Sequence, residues 1–246
     1  MTRIIAITNL KGGVAKSTTA LNLGAGLALA GRRVVLVDVD PHGRLHLWMN
    51  VHPQGTLYDV LVQTPGARSA ITGLRPNLDL VASGNGDLSG YLHALSDRAG
   101  LRSQVAAALR SLARPYDYAL LDCGPGLDAL AVAVCFASDE VIIPVTTGQA
   151  GSDGLAEQVR IVEDVQHAGH PLRITAVVPT MVEPNVREHA YWLREFQRQI
   201  DMLTPPIRKD IKLFEQPRTG QTIFELAPRS RAAADYAALA RRIDGP

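Results

Sequence analysis

The sequence predicts an α/β protein, a mostly parallel central sheet flanked by helices on both faces. Three observations predict it. Short β-branched runs alternate with helical stretches along almost the whole chain, the order that repeated βα units with right-handed crossovers produce. The runs are nearly continuous in apolar residues, the pattern of strands covered on both faces. Of the 246 residues 46% are hydrophobic, ample for a sizeable core, and a charged fraction of 20% is too low for a disordered chain.

The elements follow in order. "RIIAIT" (3–8) reads as the first strand and "STTALNLGAGLALAG" (17–31) as the helix after it. "RVVLVDV" (33–39) is the second strand. The Pro/Gly-rich part, 41–90, is loop-heavy but holds the strand "LDLVA" (78–82). "LRSQVAAALRSLA" (101–113) is helical by spacing and ends near Pro115, ahead of the strand "DYALLDC" (117–123). "EVIIPV" (within 139–145) and "RITAVV" (173–178) complete six strands, separated by the helix "GLAEQVRIVEDVQHAG" (154–169), which stops at Gly169. With no internal repeat, low-complexity tract or linker, residues 1–246 are expected to form one domain.

Composition narrows the function classes. No apolar run reaches the roughly 20 residues of a spanning helix, and the chain enters its first strand without a signal peptide. Cys123 and Cys135 form no C-x-x-C pair and fit no zinc spacing, so a reduced, cytoplasmic protein with no membrane partner is expected. A net charge of +1 excludes a globally basic nucleic-acid packager. The charge is uneven, however. From Arg208 to Arg231 six basic residues (Arg208, Lys209, Lys212, Arg218, Arg229, Arg231) face three acidic ones (Asp210, Glu215, Glu225), so this segment is +3 and the remainder −2.

The stretch "ITNLKGGVAKSTTALNLGAGLALAG" (7–31) carries the chemistry. The usual phosphate loop, G-x-x-x-x-G-K-[ST], needs glycine at positions 10 and 15, where this chain has Leu10 and Ala15 before the expected Lys16 and Ser17. The context is nonetheless that of a phosphate loop: apolar strand, glycine-containing turn, helix. Backbone N–H groups of Gly12, Gly13, Val14, Ala15, Lys16 and Ser17, with Thr18 behind them, are expected to converge on phosphate oxygens at a helix N-terminus. Lys16 then neutralises the β- and γ-phosphates, and the Ser17 hydroxyl ligates Mg²⁺. The chain has only four lysines, and two of them, Lys11 and Lys16, flank this Gly-Gly turn.

Acidic partners lie where phosphoryl transfer needs them. "VLVDVDPHG" puts Asp38 and Asp40 two residues apart, on one side of an extended chain at the strand's carboxyl end, where open α/β sheets bind ligands. "YDYALLDCGPG" is an apolar run ending in Asp122, a Walker B pattern whose carboxylate is expected to hold the metal through bound water.

"KGGVAKST" resembles the deviant Walker A motif, K-G-G-x-G-K-[ST], of the ParA/MinD family of P-loop ATPases. The likeness continues in family order through "TLYDVL", "NLDLVASGNGDLSG", "EVIIPV", "AVVPTMVEPN" and "IFELAPRSRAAADYAALA", nearly the full length, with no added N-terminal DNA-reading domain. The departures are Ala15 for glycine, His42 for the glutamine of D-x-D-P-Q-G, Gly124 within D-x-P-P, and "TTGQAGSDGL" (146–155) for an acidic-aromatic stretch. The resemblance implies a deviant Walker A P-loop fold with ATP and Mg²⁺ as cofactors. It implies that Lys11 reaches across a nucleotide-sandwiched homodimer to the partner's ATP, that Asp40 orients the attacking water, and that Asp38 supports the metal–water network. Pro179, Thr180 and Met181 become candidates for contacting adenine. Arg187, Lys209, Lys212 and Arg218 become candidates for salt-sensitive phosphate contacts to nonspecific double-stranded DNA.

The function implied is a nucleoid-associated partition ATPase. ATP drives the dimer, the dimer sits on DNA, and a ParB-like partner stimulates slow hydrolysis that releases it. A MinD-like positioning ATPase is the first alternative, but "YAALARRIDGP" offers little large-apolar surface for a membrane helix. A metabolic ligase of the same superfamily is the second. An iron-protein-like reductase is disfavoured, since Cys123 and Cys135 lie too close in sequence for that family's cluster pattern.

Overall fold

The structure is a computed structural model and describes residues 2–84, 88, 100–126 and 129–245. Part of the stretch 77–90 that carries the family likeness therefore lies outside the described residues. One seven-stranded sheet organises the rest, in the order β3-β4-β2-β5-β1-β6-β7. Its strands are β1 (Arg3–Ile7), β2 (Val34–Asp38), β3 (Ile71–Arg75), β4 (Leu78–Val81), β5 (Tyr118–Asp122), β6 (Glu140–Thr146) and β7 (Arg173–Thr180). All neighbours pair in parallel except β3, which runs antiparallel to β4 at the edge.

The apolar runs form strands because both sheet faces are buried. Ile4, Ala6, Val35, Val37, Ala119 and Leu121 enter the core on one face, and Ile5, Ile7, Val34, Leu36 and Leu120 enter it on the other. Alternate side chains point to opposite faces, so two cores consume every residue of the run. The first core is closed by α4 (Leu101–Ala113), α5 (Ala129–Ala137) and α6 (Gln149–His167), through residues such as Val105, Leu109, Val134 and Val162. The second is closed by α1 (Lys16–Leu29) and α10 (Arg231–Asp244), through Leu21, Leu23, Tyr236 and Leu239. α1 is buried nearly all round, lying between the sheet and α10. A Cβ on Gly24 would stand 2.7 Å from Leu36, and one on Gly26 would stand 2.8 Å from Ala240, so glycine sets how closely this helix approaches both neighbours.

The remaining helices among the described residues are α2 (Leu45–Trp48), α3 (Leu57–Val62), α7 (Arg187–Gln199), α8 (Ile211–Glu215) and α9 (Ile223–Leu226). A 3₁₀ turn, Pro65–Ser69, leads from α3 into β3, and another, Gln216–Arg218, lies between α8 and α9. Two departures from the sequence reading stand out. β3 is a seventh strand, and α6 begins at Gln149, five residues ahead of 154. Gly151 and Gly154 do not break that helix. A Cβ on Gly151 would lie 1.8 Å from the Thr146 carbonyl oxygen, so glycine here lets the helix start directly beneath the strand end.

Candidate nucleotide site at the carboxyl edge of the sheet

The loop between β1 and α1 is fixed from below. Asn9, buried, donates from Nδ2 to the Pro144 carbonyl at 2.8 Å and accepts the Lys11 N–H on Oδ1 at 3.0 Å. The Thr180 hydroxyl, also buried, is shared between the carbonyls of Val14 and Val145, both at 3.2 Å. The Gly126 N–H donates to the Leu10 carbonyl at 3.1 Å and ties the loop after β5 to the same turn. Gly13 has φ 74°, a conformation that glycine adopts without cost. Ala15 has φ 65° and ψ 35°, in the left-handed region that disfavours a side chain. The position normally held by glycine therefore still needs a glycine-like backbone, and the methyl is carried there at roughly 1 kcal/mol.

Ala15 caps α1 without any side-chain hydrogen bond. An uncapped helix start presents its N–H groups and the positive end of its dipole to an incoming anion. Lys16, 7% exposed, lies across this opening and donates to the carbonyls of Asn9 at 3.0 Å and Lys11 at 2.9 Å. Burial lowers the Lys16 pKa, partly offset by Asp122, Cys123 and Asp40. Lys11 bends back within its own chain. Its ammonium donates to the Ala150 carbonyl in the first turn of α6, and its stem lies where a Cβ on Gly154 would be, 2.9 Å away.

Asp38 and Asp122 end neighbouring strands and are register partners across β2 and β5. They are 0% and 1% exposed, and each has one oxygen, Oδ1, without a hydrogen-bond partner. Burial pushes the Asp122 pKa up to about 7, with the nearby Ser17 side chain and Lys16 opposing. Asp38 is raised as well, by burial first and by Asp122 second. Its Oδ2 accepts the Leu45 N–H at 3.2 Å. Gly43 lies directly over this carboxylate, and a Cβ there would be 1.9 Å from Oδ1. Asp40 is only half-buried and accepts the His42 N–H at 2.8 Å, closing the turn after β2. A Cβ on Gly124 would sit 3.0 Å from the Asp40 carboxyl carbon, so the Gly124 departure makes room for Asp40.

This donor set suits a hard cation. A serine hydroxyl beside a carboxylate, two orphaned carboxylate oxygens and an adjacent phosphate-binding turn are the ingredients of Mg²⁺ held mainly through phosphate and water. Among the described residues no group of three or more His, Cys, Asp or Glu side chains forms a protein-only metal cage.

The other candidates divide. Pro179 is buried in β7 with its carbonyl accepting the Ile207 N–H at 2.8 Å, and the Thr180 hydroxyl faces the loop backbone, so both brace the site. Met181, at φ 55°, reaches a small recess, about 50 Å³, beside Ala15 and Thr18. The opposite wall of that recess, Ile207, Asp210, Leu213 and Phe214, was not anticipated. Its one legible signal is an aromatic residue, Phe214, 57% exposed inside a basic run. The same run proves less positive than its count. Lys209 pairs with Glu183 at 2.9 Å, Lys212 with Glu215 at 2.7 Å, and Arg208 with Asp235 at 2.6 Å. Among the described residues Arg187 and Arg218 are exposed and make no ion pair. No helix among the described residues is long and apolar enough to cross a membrane.

Comparison with known proteins agrees with this geometry. A family model described as an AAA domain matches residues 2–174. The sporulation initiation inhibitor protein Soj of Bacillus subtilis is 33% identical over 250 residues, covering 99% of this chain and 98% of Soj. The chromosome partitioning protein ParA of Caulobacter vibrioides is 32% identical over 258 residues, covering 98% and 93%. Among solved structures, cobyrinic acid a,c-diamide synthase from Mycobacterium smegmatis, with bound ADP and magnesium, aligns with a TM-score of 0.82 at 28% identity, covering 98% and 93%.

Proposed function

The chain belongs to the ParA/MinD family of P-loop ATPases, and on that premise we propose that it is a DNA-partition ATPase that uses ATP as a dimerisation switch. The observation that carries the reading is the paired deficit at the carboxyl edge. An uncapped helix start with a buried lysine faces two buried carboxylates, each with an oxygen left without a hydrogen-bond partner, an arrangement Mg²⁺ and ATP would complete together. The near full-length likeness to Soj and ParA supports partition over other uses of the fold.

In this reading the loop amides from Gly12 to Ser17 and the Lys16 ammonium hold the phosphates. Ser17 and Asp122 hold the metal, Asp122 through water, with Asp38 behind them. The bound metal neutralises charge developing on the transferred phosphoryl group. Asp40, the half-buried carboxylate of the set, orients water for attack. Met181 and the wall from Ile207 to Phe214 flank the base. Lys11 leaves Ala150 to touch the partner's ATP across the dimer. Exposed ion pairs are worth about 0–1 kcal/mol, so Lys209 and Lys212 exchange Glu183 and Glu215 for DNA phosphates at little cost. Arg187 and Arg218 join them, and a two-fold dimer doubles the patch. A ParB-like activator then triggers slow hydrolysis and release.

Two rivals are weighed on specific observations. The diamide synthase shares the fold, which supports an amide-forming ligase as the second reading. A MinD-like membrane attachment through α10 is disfavoured, because Ala233, Tyr236, Leu239 and Ala240 are already buried in the core shared with α1. A gel shift with long nonspecific DNA separates the readings. The partition reading predicts retardation with ATP and Mg²⁺ only, lost in Lys11→Ala. Removing a buried charged contact costs about 2–5 kcal/mol, enough to abolish the dimer when two symmetric contacts go together. Retardation by Lys11→Ala equal to the parent's, or none by the parent, contradicts it.

A further inference from the structure

Asn22 and Gln216 stand 194 positions apart, yet their side-chain amides face each other and exchange two hydrogen bonds. Asn22 Nδ2 donates to Gln216 Oε1 at 2.9 Å, and Gln216 Nε2 donates back to Asn22 Oδ1 at 3.0 Å. Asn22 is then used to capacity. Nδ2 also donates to the Thr18 carbonyl at 2.9 Å, and Oδ1 also accepts the N–H of Ile223, the first residue of α9, at 2.9 Å. The pair is buried, at 0% and 1% exposure.

Burying two amides is unfavourable unless each finds its partners, and once satisfied they permit a single register where apolar side chains would tolerate sliding. The two ends of this pair belong to the two parts of the proposed machine. Thr18 is in the first turn of α1, directly after Lys16 and Ser17. Gln216 opens the 3₁₀ turn that ends at Arg218 and follows the helix carrying Lys212. Among the described residues no other side-chain hydrogen bond joins α1 to 207–218, although Ile207, Leu213 and Phe214 share the recess with Thr18.

We propose that Gln216 is a positioning residue: bonded to Asn22, it locks the cationic segment to the nucleotide-bearing helix, so that nucleotide at the first turn of α1 sets the placement of Lys209, Lys212 and Arg218. The proposal rests on the partition reading for its consequence, but the lock itself is measurable without DNA.

Gln216→Leu removes the pair at similar volume. Amide hydrogen exchange of residues 208–218 is followed with and without Mg²⁺ and ATP, beside ATP affinity by calorimetry and DNA affinity by titration. In the parent, nucleotide slows exchange in 208–218 by about fivefold or more. In the variant that slowing disappears, ATP affinity stays within about twofold, and the ATP-dependent gain in DNA affinity falls about tenfold. If Gln216→Leu does not fold, Gln216→Met, also apolar and of similar length, is read in its place. Slowing that persists in the variant, or is absent from the parent, overturns the proposal, and a lower melting temperature alone does not rescue it. Loss of the slowing in the variant, with no DNA binding by the parent, supports the lock and removes the partition reading instead.

Discussion

At the amino edge of the sheet Glu140 is 1% exposed, and both its oxygens are engaged. Arg3 reaches it at 2.8 and 2.7 Å, Arg173 at 2.9 Å, and the Thr175 hydroxyl completes the set. At the carboxyl edge of the same sheet Asp38 and Asp122 are equally buried, yet among the described residues each keeps an oxygen without a partner and neither forms an ion pair with arginine or lysine. The two edges titrate in opposite directions. Burial alone would raise the Glu140 pKa, but Arg3, Thr175 and Arg173 bring it down to about 2. Burial raises Asp122 to about 7, and Ser17 and Lys16 do not overcome it. The difference separates structure from function. A fold that satisfies one buried carboxylate completely at its closed edge has left two in deficit at its open edge, and such a deficit is where a cation and a phosphate gain most.

Three substitutions sharpen that contrast, in falling order of effect. Lys16→Ala removes the one cation that lowers the Asp122 pKa among the described residues. ATP affinity is expected to fall at least 100-fold, about 2.7 kcal/mol, because a charge-assisted phosphate contact is lost in a chain with no second lysine on that side. Calorimetry measures the loss, and circular dichroism is expected to show an unchanged fold. Glu140→Gln breaks the satisfied edge. A one-sided break of a buried pair costs about 3–5 kcal/mol, reduced here to about 2–3 because Arg173 is largely exposed and rehydrates. Glu140 has a depressed pKa, so its contribution is present above the unfolded value near 4.5 and lost as pH falls toward about 2. The variant is therefore expected to lose stability at pH 7 and to show a weaker acid dependence than the parent, with ATP affinity unchanged. Ala15→Gly is the smallest. Relief of the left-handed methyl outweighs the looser unfolded chain by roughly 0.5 kcal/mol, and the melting temperature is expected to rise by about 1–2 °C.

Much of this was legible in the sequence, for reasons that differ between elements. Six strands were readable because parallel strands with two buried faces are written as unbroken apolar runs. β3 was not, since "ITGLR" is an antiparallel edge strand in which only Leu74 is buried and Ile71 is 47% exposed, so it shows no apolar run. The helix start at Gln149 was hidden because Gly151 and Gly154 look like breakers until the close approach of Thr146 and Lys11 is seen. At the carboxyl edge, the grouping of Lys16, Ser17, Asp38, Asp40 and Asp122 was legible because each stands at or just beyond the end of an apolar strand run that the sequence marks. The far wall of the recess could not, since Phe214 meets Thr18 only through the tertiary fold. Nor could the neutralisation of Lys209 by Glu183, 26 residues away, which a charge count along the chain does not register.

The central claim is that the carboxyl edge is held in deficit for Mg²⁺ and ATP, and Asp122→Asn tests it most directly. Because the Asp122 pKa is raised on folding, the nucleotide-free protein loses stability as pH rises from the unfolded value near 3.8 through about 7. Thermal unfolding of parent and variant is measured at pH 8, without ligand and with saturating Mg²⁺ and ATP. Without ligand the variant is expected to melt several degrees above the parent, since the uncompensated charge is gone. With Mg²⁺ and ATP the order is expected to reverse, because only the parent keeps the carboxylate proposed to hold the metal. A variant less stable than the parent in both conditions would make Asp122 a structural carboxylate like Glu140 and contradict the account.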